Sequence, residues 1–273
     1  MGVKKRDGAI IDLDGVSRRS KQLLVWGEAV DVDTLKTLPR LETLHVYKIR
    51  PKDLPRVQRI EELSLKNLSL RFWPDPDLTA FNPPKRLEVL TVWQSNKLVR
   101  LDGIEAATDL EILELNDNGR LESLEPIRVL PKLHTLHLTG GIWTKQQTDG
   151  LEALAGLKTL RALHLRGIDG RGVDLTPVTQ LPNLELLDLW GRDFPMEEVA
   201  KVAAAHPMFL EQLLQMDGYG DICKTCGGRK RLMFIRRRKA FWCPVCEKEG
   251  LDRLLGKFMN AVEQARRELG LEA

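Results

Sequence analysis

No stretch of this chain approaches the ~18 consecutive apolar residues that a membrane helix needs, so a bilayer span is not expected. Residues Met1 to Arg19 include basic side chains but no apolar h-region, which predicts no secretory signal. The opening of the chain lacks the Ser or Thr of a myristoylation signal, whose place is taken by Arg6, and the cytoplasm is the expected compartment. Cysteine is scarce: the 273 residues hold four, all in two CxxC pairs near the C-terminal end. In a protein that is not exported, this points to metal binding rather than to disulfides. No P-loop, GxSxG, HExxH or GxGxxG pattern occurs. The sequence therefore nominates no catalytic residue and no small-molecule substrate, and a non-enzymatic role is expected.

What is present describes an ordinary globular chain, with 42% hydrophobic and 30% charged residues, a balance that excludes wholesale disorder. The net charge of +3 is unevenly spread. Residues 221–273 hold 13 Lys or Arg against 7 Asp or Glu, so the preceding 220 residues are mildly acidic and the tail is basic. That asymmetry suggests two functional regions.

An internal repeat organises most of the chain. The pattern Leu-x-x-Leu-x-Leu, with Val or Ile allowed, begins at Leu41, Ile60, Leu87, Leu110, Leu133, Leu160 and Leu184, in steps of 19, 27, 23, 23, 27 and 24 residues. An eroded copy lies at Lys21 to Trp26. Upstream of several copies the three-residue spacing continues, as in Leu151, Leu154, Leu157, Leu160, Leu163 and Leu165. The Leu-x-Leu part is strand spacing and puts both side chains on one face, whereas Leu-x-x-Leu suits a short 3₁₀ or helical turn. One such coil cannot bury its own apolar edge, but stacked coils form a continuous core. The Pro-rich segment Arg71 to Lys85 and the segment Gly140 to Gly150, which holds Trp143, read as inserted loops.

Over roughly residues 20–192 this pattern resembles the leucine-rich-repeat family, most of all its short-repeat bacterial members, whose convex segment is similar to Leu121–Ile127. The resemblance implies an α/β repeat solenoid, curved, with a concave parallel β-sheet and a protein-binding role. The family often carries Asn at the ninth repeat position; here that position is Ile49, Leu68, Ser95, Asn118, Gly141, Ile168 and Arg192, so the turns should be irregular. Some bacterial members are ubiquitin ligases with a catalytic cysteine, but every cysteine here belongs to a CxxC pair.

The expected boundaries are an N-terminal cap over 1–20, a solenoid of about eight coils over 21–192, a helical cap and linker over 193–220, a cysteine module over 221–248 and an amphipathic helix over 249–273. Asp193 is the candidate N-cap for the helix predicted from Pro195 to His206.

Positions interleaved with the strand leucines should face solvent on the concave side. They include His45, Tyr47, Lys66, Trp93, Glu114, Asn116, His137, His164, Arg166, Asp188 and Trp190. Open solvated surfaces do not favour Trp, whereas interface hot spots are enriched in Trp, Tyr and Arg. Another protein is therefore the expected partner on this face.

Cys223 and Cys226 are followed after 16 residues by Cys243 and Cys246. Two thiolate knuckles at this spacing complete a tetrahedron around one structural zinc ion, and the segment resembles a zinc ribbon. Between and beside the knuckles lie Arg229, Lys230, Arg231, Arg236, Arg237, Arg238 and Lys239, interleaved with Phe234, Phe241 and Trp242. Charge for phosphates and rings for stacking would suit nucleic acid. Aromatics in a small ribbon core with solvated arginines is the competing reading. Two functions follow: an inhibitor, immunity protein or scaffold that grips a protein on the concave face, or an adaptor that contacts DNA or RNA through the basic ribbon.

Overall fold

The computed structural model describes residues 4–141, 145, 146, 150–216, 222–233, 235 and 241–271. A ten-stranded sheet runs in chain order. Its strands are β1 (Lys5–Arg6), β2 (Ala9–Ile10), β3 (Gln22–Trp26), β4 (Thr43–Tyr47), β5 (Asn67–Arg71), β6 (Val89–Trp93), β7 (Ile112–Asn116), β8 (Thr135–Thr139), β9 (Ala162–Arg166) and β10 (Leu186–Leu189). Every pairing from β2 onward is parallel. Only β1 is antiparallel to its neighbour, and it covers the N-terminal edge as half of a hairpin. This is the parallel repeat solenoid that the resemblance to leucine-rich repeats implies.

Each coil obeys the spacing argument. The second and fourth residues of a strand are buried leucines or valines, such as Leu113 and Leu115 in β7, and each stands level with its counterpart in the next coil. The opposite side of the coil is made of short 3₁₀ turns at Pro51–Asp53, Arg59–Glu62, Ile104–Ala106, Glu125–Val129 and Glu152–Leu154. Short helices α1 (Val32–Leu35) and α3 (Thr176–Thr179) serve two further coils, and α2 (Leu54–Gln58) joins the turns at Pro51–Asp53 and Arg59–Glu62. Three-residue leucine spacing closes these turns: the N–H of Ile127 donates to the Leu124 carbonyl and that of Leu154 to the Leu151 carbonyl, and all four side chains are buried.

The second repeat is one register later than its pattern suggests. Leu44 pairs with Leu68 and Val46 with Leu70, so this coil begins at Leu65 rather than Ile60, and the steps on either side become 24 and 22 residues. The Arg71 to Lys85 segment is consequently no insertion. It is the convex part of a coil of normal length, in which Trp73, Leu78 and Phe81 are buried and the Trp73 and Phe81 rings meet edge to face at 6.4 Å. Trp73, not Leu68, takes the ninth position.

Although only Asn118 keeps the family's asparagine, the polar ladder extends one coil further. Asn118 is fully buried; its Oδ1 accepts from the Ser95 N–H at 2.9 Å and its Nδ2 donates to the Val92 carbonyl at 2.9 Å. Ser95, equally buried, accepts the Trp73 N–H at 2.9 Å through its hydroxyl. Two polar side chains thereby satisfy turn amides that stacking hides from water. One coil on, a Cβ at Gly140 would lie 2.0 Å from the Gly167 carbonyl, so these two turns can touch only because Gly140 lacks a side chain. Trp143 lies outside the described residues.

At the C-terminal end, α4 (Met196–Ala205) lays Val199, Ala200, Val202 and Ala203 against the last coils. Asp193 does not cap this helix, whose N-cap is Pro195 without a side-chain bond. Its carboxylate instead accepts from the Gly167 N–H at 3.0 Å and from Lys145 at 2.6 Å, joining the last coil to the one before. After α5 (Leu210–Leu214), the short strands β11 (Gln215–Met216), β12 (Arg231–Met233) and β13 (Phe241–Trp242) form a second, antiparallel sheet. Helix α6 (Lys248–Glu268) buries Leu251, Leu254, Phe258, Val262 and Ala265 and packs on the small residues of α4. The core is continuous from Ile10 to Ala265.

Replacing Asn118 with Ala strands the buried Ser95 N–H and should destabilise the protein by about 1–3 kcal/mol. The substitution Asn116→Ala, at a half-buried ladder position outside the core, should stay within about 0.5 kcal/mol. Urea unfolding with unchanged m-values checks both.

Candidate functional site

The parallel register converts three positions per coil into three rows across the open face of the sheet. The middle row runs Leu24, His45, Ser69, Thr91, Glu114, His137, His164 and Asp188. The row at the strands' C-terminal ends runs Trp26, Tyr47, Arg71, Trp93, Asn116, Thr139 and Arg166, with Trp190 one residue past β10. Strand pairing thus brings together every nominated ladder residue except Lys66. That side chain lies ahead of β5, at the sheet margin, where it pairs with Glu88 at 3.1 Å. Ser69 and Arg71 are the ladder residues of this coil, and Arg71 holds the position expected of Lys66. The sequence signal was present in the more even 24- and 22-residue steps.

A third row, Gln22, Thr43, Asn67, Val89, Ile112, Thr135, Ala162 and Leu186, went unrecognised because it lies inside the Leu-x-x-Leu interval. It contributes an apolar band of Val89 and Ile112. Among the described residues this face carries large apolar groups open to solvent, with Trp93 and Trp190 each 41% exposed. Gln212, on α5, donates to the Leu187 carbonyl and closes the free edge of β10.

Side chains on the ladder order one another. The rings of His137 and His164 stack at 3.9 Å between centroids and 7° between planes. His164 Nδ1 lies 3.2 Å from Asp188, whose carboxylate also pairs with Arg166 at 2.5 Å. Thr91 donates to Glu114 at 2.9 Å. Burial, helped by the neighbouring His164, holds the His137 pKa below its ordinary value. Burial alone does the same for His45, which lies 2.8 Å from the Gln22 amide.

At the other site the four sulfurs of Cys223, Cys226, Cys243 and Cys246 all lie within 4.8 Å of one another, with 3.5 Å from Cys226 to Cys243 and 3.9 Å from Cys223 to Cys246. Tetrahedral thiolates at ~2.3 Å from zinc stand ~3.8 Å apart, so the set fits such an ion, and no two sulfurs are bonded. Turn geometry prepares the knuckles. The Gly227 N–H donates to the Cys223 carbonyl at 2.9 Å, with Gly227 at φ +71, and the Cys246 N–H donates to Cys243 sulfur at 3.3 Å. Backbone N–H groups of Cys226 and Thr225 pull the Cys223 thiol down to about 6. Bonding to the Cys226 thiol, burial and the other sulfurs push Cys246 up to about 12. Four thiolates cannot coexist so closely without a cation, and a metal ion would supply that charge. Cys223 and Cys243 are buried while Cys226 and Cys246 are exposed.

In the neighbouring hairpin, Met233, Ile235 and Trp242 are buried. A Cβ on Gly250 would lie 2.6 Å from the Trp242 ring, so the indole rests directly on α6 and is not available to stack on a base. Arg229, Lys230 and Arg231 are at least partly exposed; Phe234, Arg236, Arg237, Arg238 and Lys239 lie outside the described residues.

No family model matches the chain, and no curated protein matches it. Among solved structures it is similar to a crystal structure of an internalin from Listeria monocytogenes, with 19% identity and a TM-score of 0.47 over 67% of this chain and 58% of that one. It is also similar to TLR13 in its complex with ssRNA13, with 21% identity and a TM-score of 0.44 over 66% of this chain and 28% of that one. The chain therefore spans less than two thirds of either protein. A likeness this distant says nothing of function. The class, a leucine-rich-repeat solenoid with a small cysteine-bearing module, follows from the strand register and the buried leucine rows. Among the described residues, His, Cys, Asp and Glu side chains converge on a metal-sized site only at the cysteine cluster, and no helix is long and apolar enough to cross a membrane.

Because the folded His137 resists protonation relative to the unfolded chain, its neutral form contributes stability above the ordinary imidazole value, and this is lost as pH falls below ~6.5. His137→Gln should therefore lose less stability than the parent between neutral pH and mildly acidic pH, measured by urea unfolding at each pH.

Proposed function

We propose that this protein is a non-enzymatic recognition module that binds another protein through the concave face of its solenoid, in the manner of an inhibitor, immunity protein or scaffold. The observation that carries this reading is the exposure of Trp93 and Trp190 on an otherwise ordered sheet face. Arg71 and Arg166 each lie over one of these rings, but the indole area left open to water adds little to the isolated chain, whereas such rings dominate interface energetics when a partner covers them. Hydrogen bonds and ion pairs already fix Glu114, His164, Asp188 and Arg166, so these groups lose little side-chain entropy when a partner docks.

In the same reading the cysteine module holds one structural zinc ion through Cys223, Cys226, Cys243 and Cys246, and the ion stiffens the cap that seals the solenoid. The basic ribbon residues then serve solubility or an acidic protein surface. The burial of Trp242 weighs against the alternative in which the ribbon stacks on nucleic acid.

Thr139→Arg places a long charged side chain in the middle of the ladder without touching the core. A protein captured stoichiometrically from nuclease-treated native lysate should be lost with Thr139→Arg and retained with the convex substitution Glu105→Arg. Retention by Thr139→Arg would reject the concave face as the binding surface. Elemental analysis should find one zinc per chain, and Cys243→Ser should release it while the solenoid's circular dichroism persists.

A further inference from the structure

The outer row of the ladder contains one arrangement that its neighbours do not share. The Arg71 guanidinium carbon lies 4.2 Å from the Trp93 ring centroid, 5.0 Å from that of Tyr47 and 5.2 Å from that of Phe72. Its Nε donates to Gln94 Oε1 at 2.9 Å and its Nη2 donates to the same oxygen. Gln94 donates in turn to Asp117 at 3.2 Å. The guanidinium is thus held in place by rings and a neutral amide, with its Nη1 donors uncommitted. One strand away, the exposed Lys48 ammonium lies 4.5 Å from the Trp26 ring. Among the described residues neither cation forms an ion pair with a carboxylate. Arg166, by contrast, is paired with Asp188 on the same row.

We propose that Arg71 receives a carboxylate of the partner protein, with Lys48 adding positive charge on the adjoining strand, and that Trp93 receives the apolar side chain beside it, so that the docked segment is an acidic, apolar loop. The assignment rests on the concave-face reading and names the chemistry of the partner there. Charge complementarity supports it. A cation fixed among rings and short of a counter-ion gains a charge-assisted hydrogen bond when a carboxylate arrives, and the exposed indole offers apolar area next to it. A polyanion crossing the strands suits the site less well. Glu114 lies two strands from Arg71, roughly 10 Å at ordinary strand spacing, and Asp117 is joined to Arg71 through Gln94, so a phosphate chain would meet negative charge almost at once. The site accepts one localised anion and repels a continuous run of them.

The test uses the full chain and three dye-labelled probes followed by fluorescence anisotropy: a short peptide of Gly-Ser-Glu-Leu repeats, its counterpart with Lys in place of Glu, and an oligouridylate of matching length. The Glu peptide should bind about tenfold more tightly than the Lys peptide, and added salt should weaken it. Arg71→Met, which keeps the stem but not the charge, should abolish that preference and its salt dependence. Trp93→Ala, an exposed truncation, should weaken both peptides and leave the salt dependence of the Glu peptide in place. The convex substitution Arg128→Met should change nothing. Failure of the Glu peptide to outbind the Lys peptide, indifference to Arg71→Met, or tighter binding of oligouridylate than of the Glu peptide each overturns the assignment. A native partner lost with Thr139→Arg yet indifferent to Arg71→Met would also overturn it, while leaving the concave-face reading intact.

Discussion

The structure depends on one constraint: each strand must lie level with its neighbour so that leucine stands beside leucine in successive coils. Parallel pairing carries Leu44 to Leu68, Leu90, Leu113, Leu136, Leu163 and Leu187 in a single buried row. Because side chains alternate across a strand, the same alignment that buries this row must expose the rows on either side. The core and the ladder are therefore one decision. A slip of one residue in any coil would turn its leucines outward and its ladder residues inward, so the apolar core keeps the exposed rows in register.

Stacked coils leave two open ends, and the chain closes them differently. At the N-terminal end a two-strand hairpin covers β3, with Arg6 over the Trp26 ring at 3.5 Å and the indole N–H donating to the Arg6 carbonyl at 3.1 Å. At the C-terminal end α4 covers the last coil, α6 packs on α4, and the cysteine module is joined to α6 through Gly250 and Trp242. The module thus adjoins the cap through α6. This placement also explains why Trp242 is buried: a module with so few residues needs Met233, Ile235 and Trp242 for an apolar contact of its own.

The repeat was legible because leucine spacing reports two periods at once, a strand's and a turn's. It became ambiguous where leucines were too many. Ile60, Leu63 and Leu65 match the pattern as well as Leu65, Leu68 and Leu70 do, and nothing local separates them. Only pairing with β4 decides, and pairing is a long-range property. That ambiguity hid Arg71, the ladder residue with the most distinctive surroundings. The Asn118 and Ser95 ladder was half legible, since Asn is the family's residue and Ser fills the same role by a different bond. The role of Asp193 was not legible, because its partners lie 26 and 48 residues away in sequence. At the cysteine cluster, spacing alone was sufficient: two short knuckles can bring four sulfurs together whatever the intervening loop does.

A surface of this kind can be selective without being strongly charged. Along the ladder, Glu114 is hydrogen-bonded to Thr91, Asp188 is shared by His164 and Arg166, and Gln94 joins Arg71 to Asp117. These groups present fixed donors and acceptors, and a partner whose polar atoms do not match them would leave buried groups unsatisfied at about 1–3 kcal/mol each. Mismatch is therefore penalised more heavily than any single match is rewarded. On the proposed reading, apolar area from Trp93, Trp190 and Leu186 would supply affinity that is largely indifferent to identity. Specificity then rests with the ordered polar rows between the indoles, and its sharpness follows from the stacking that holds those rows still.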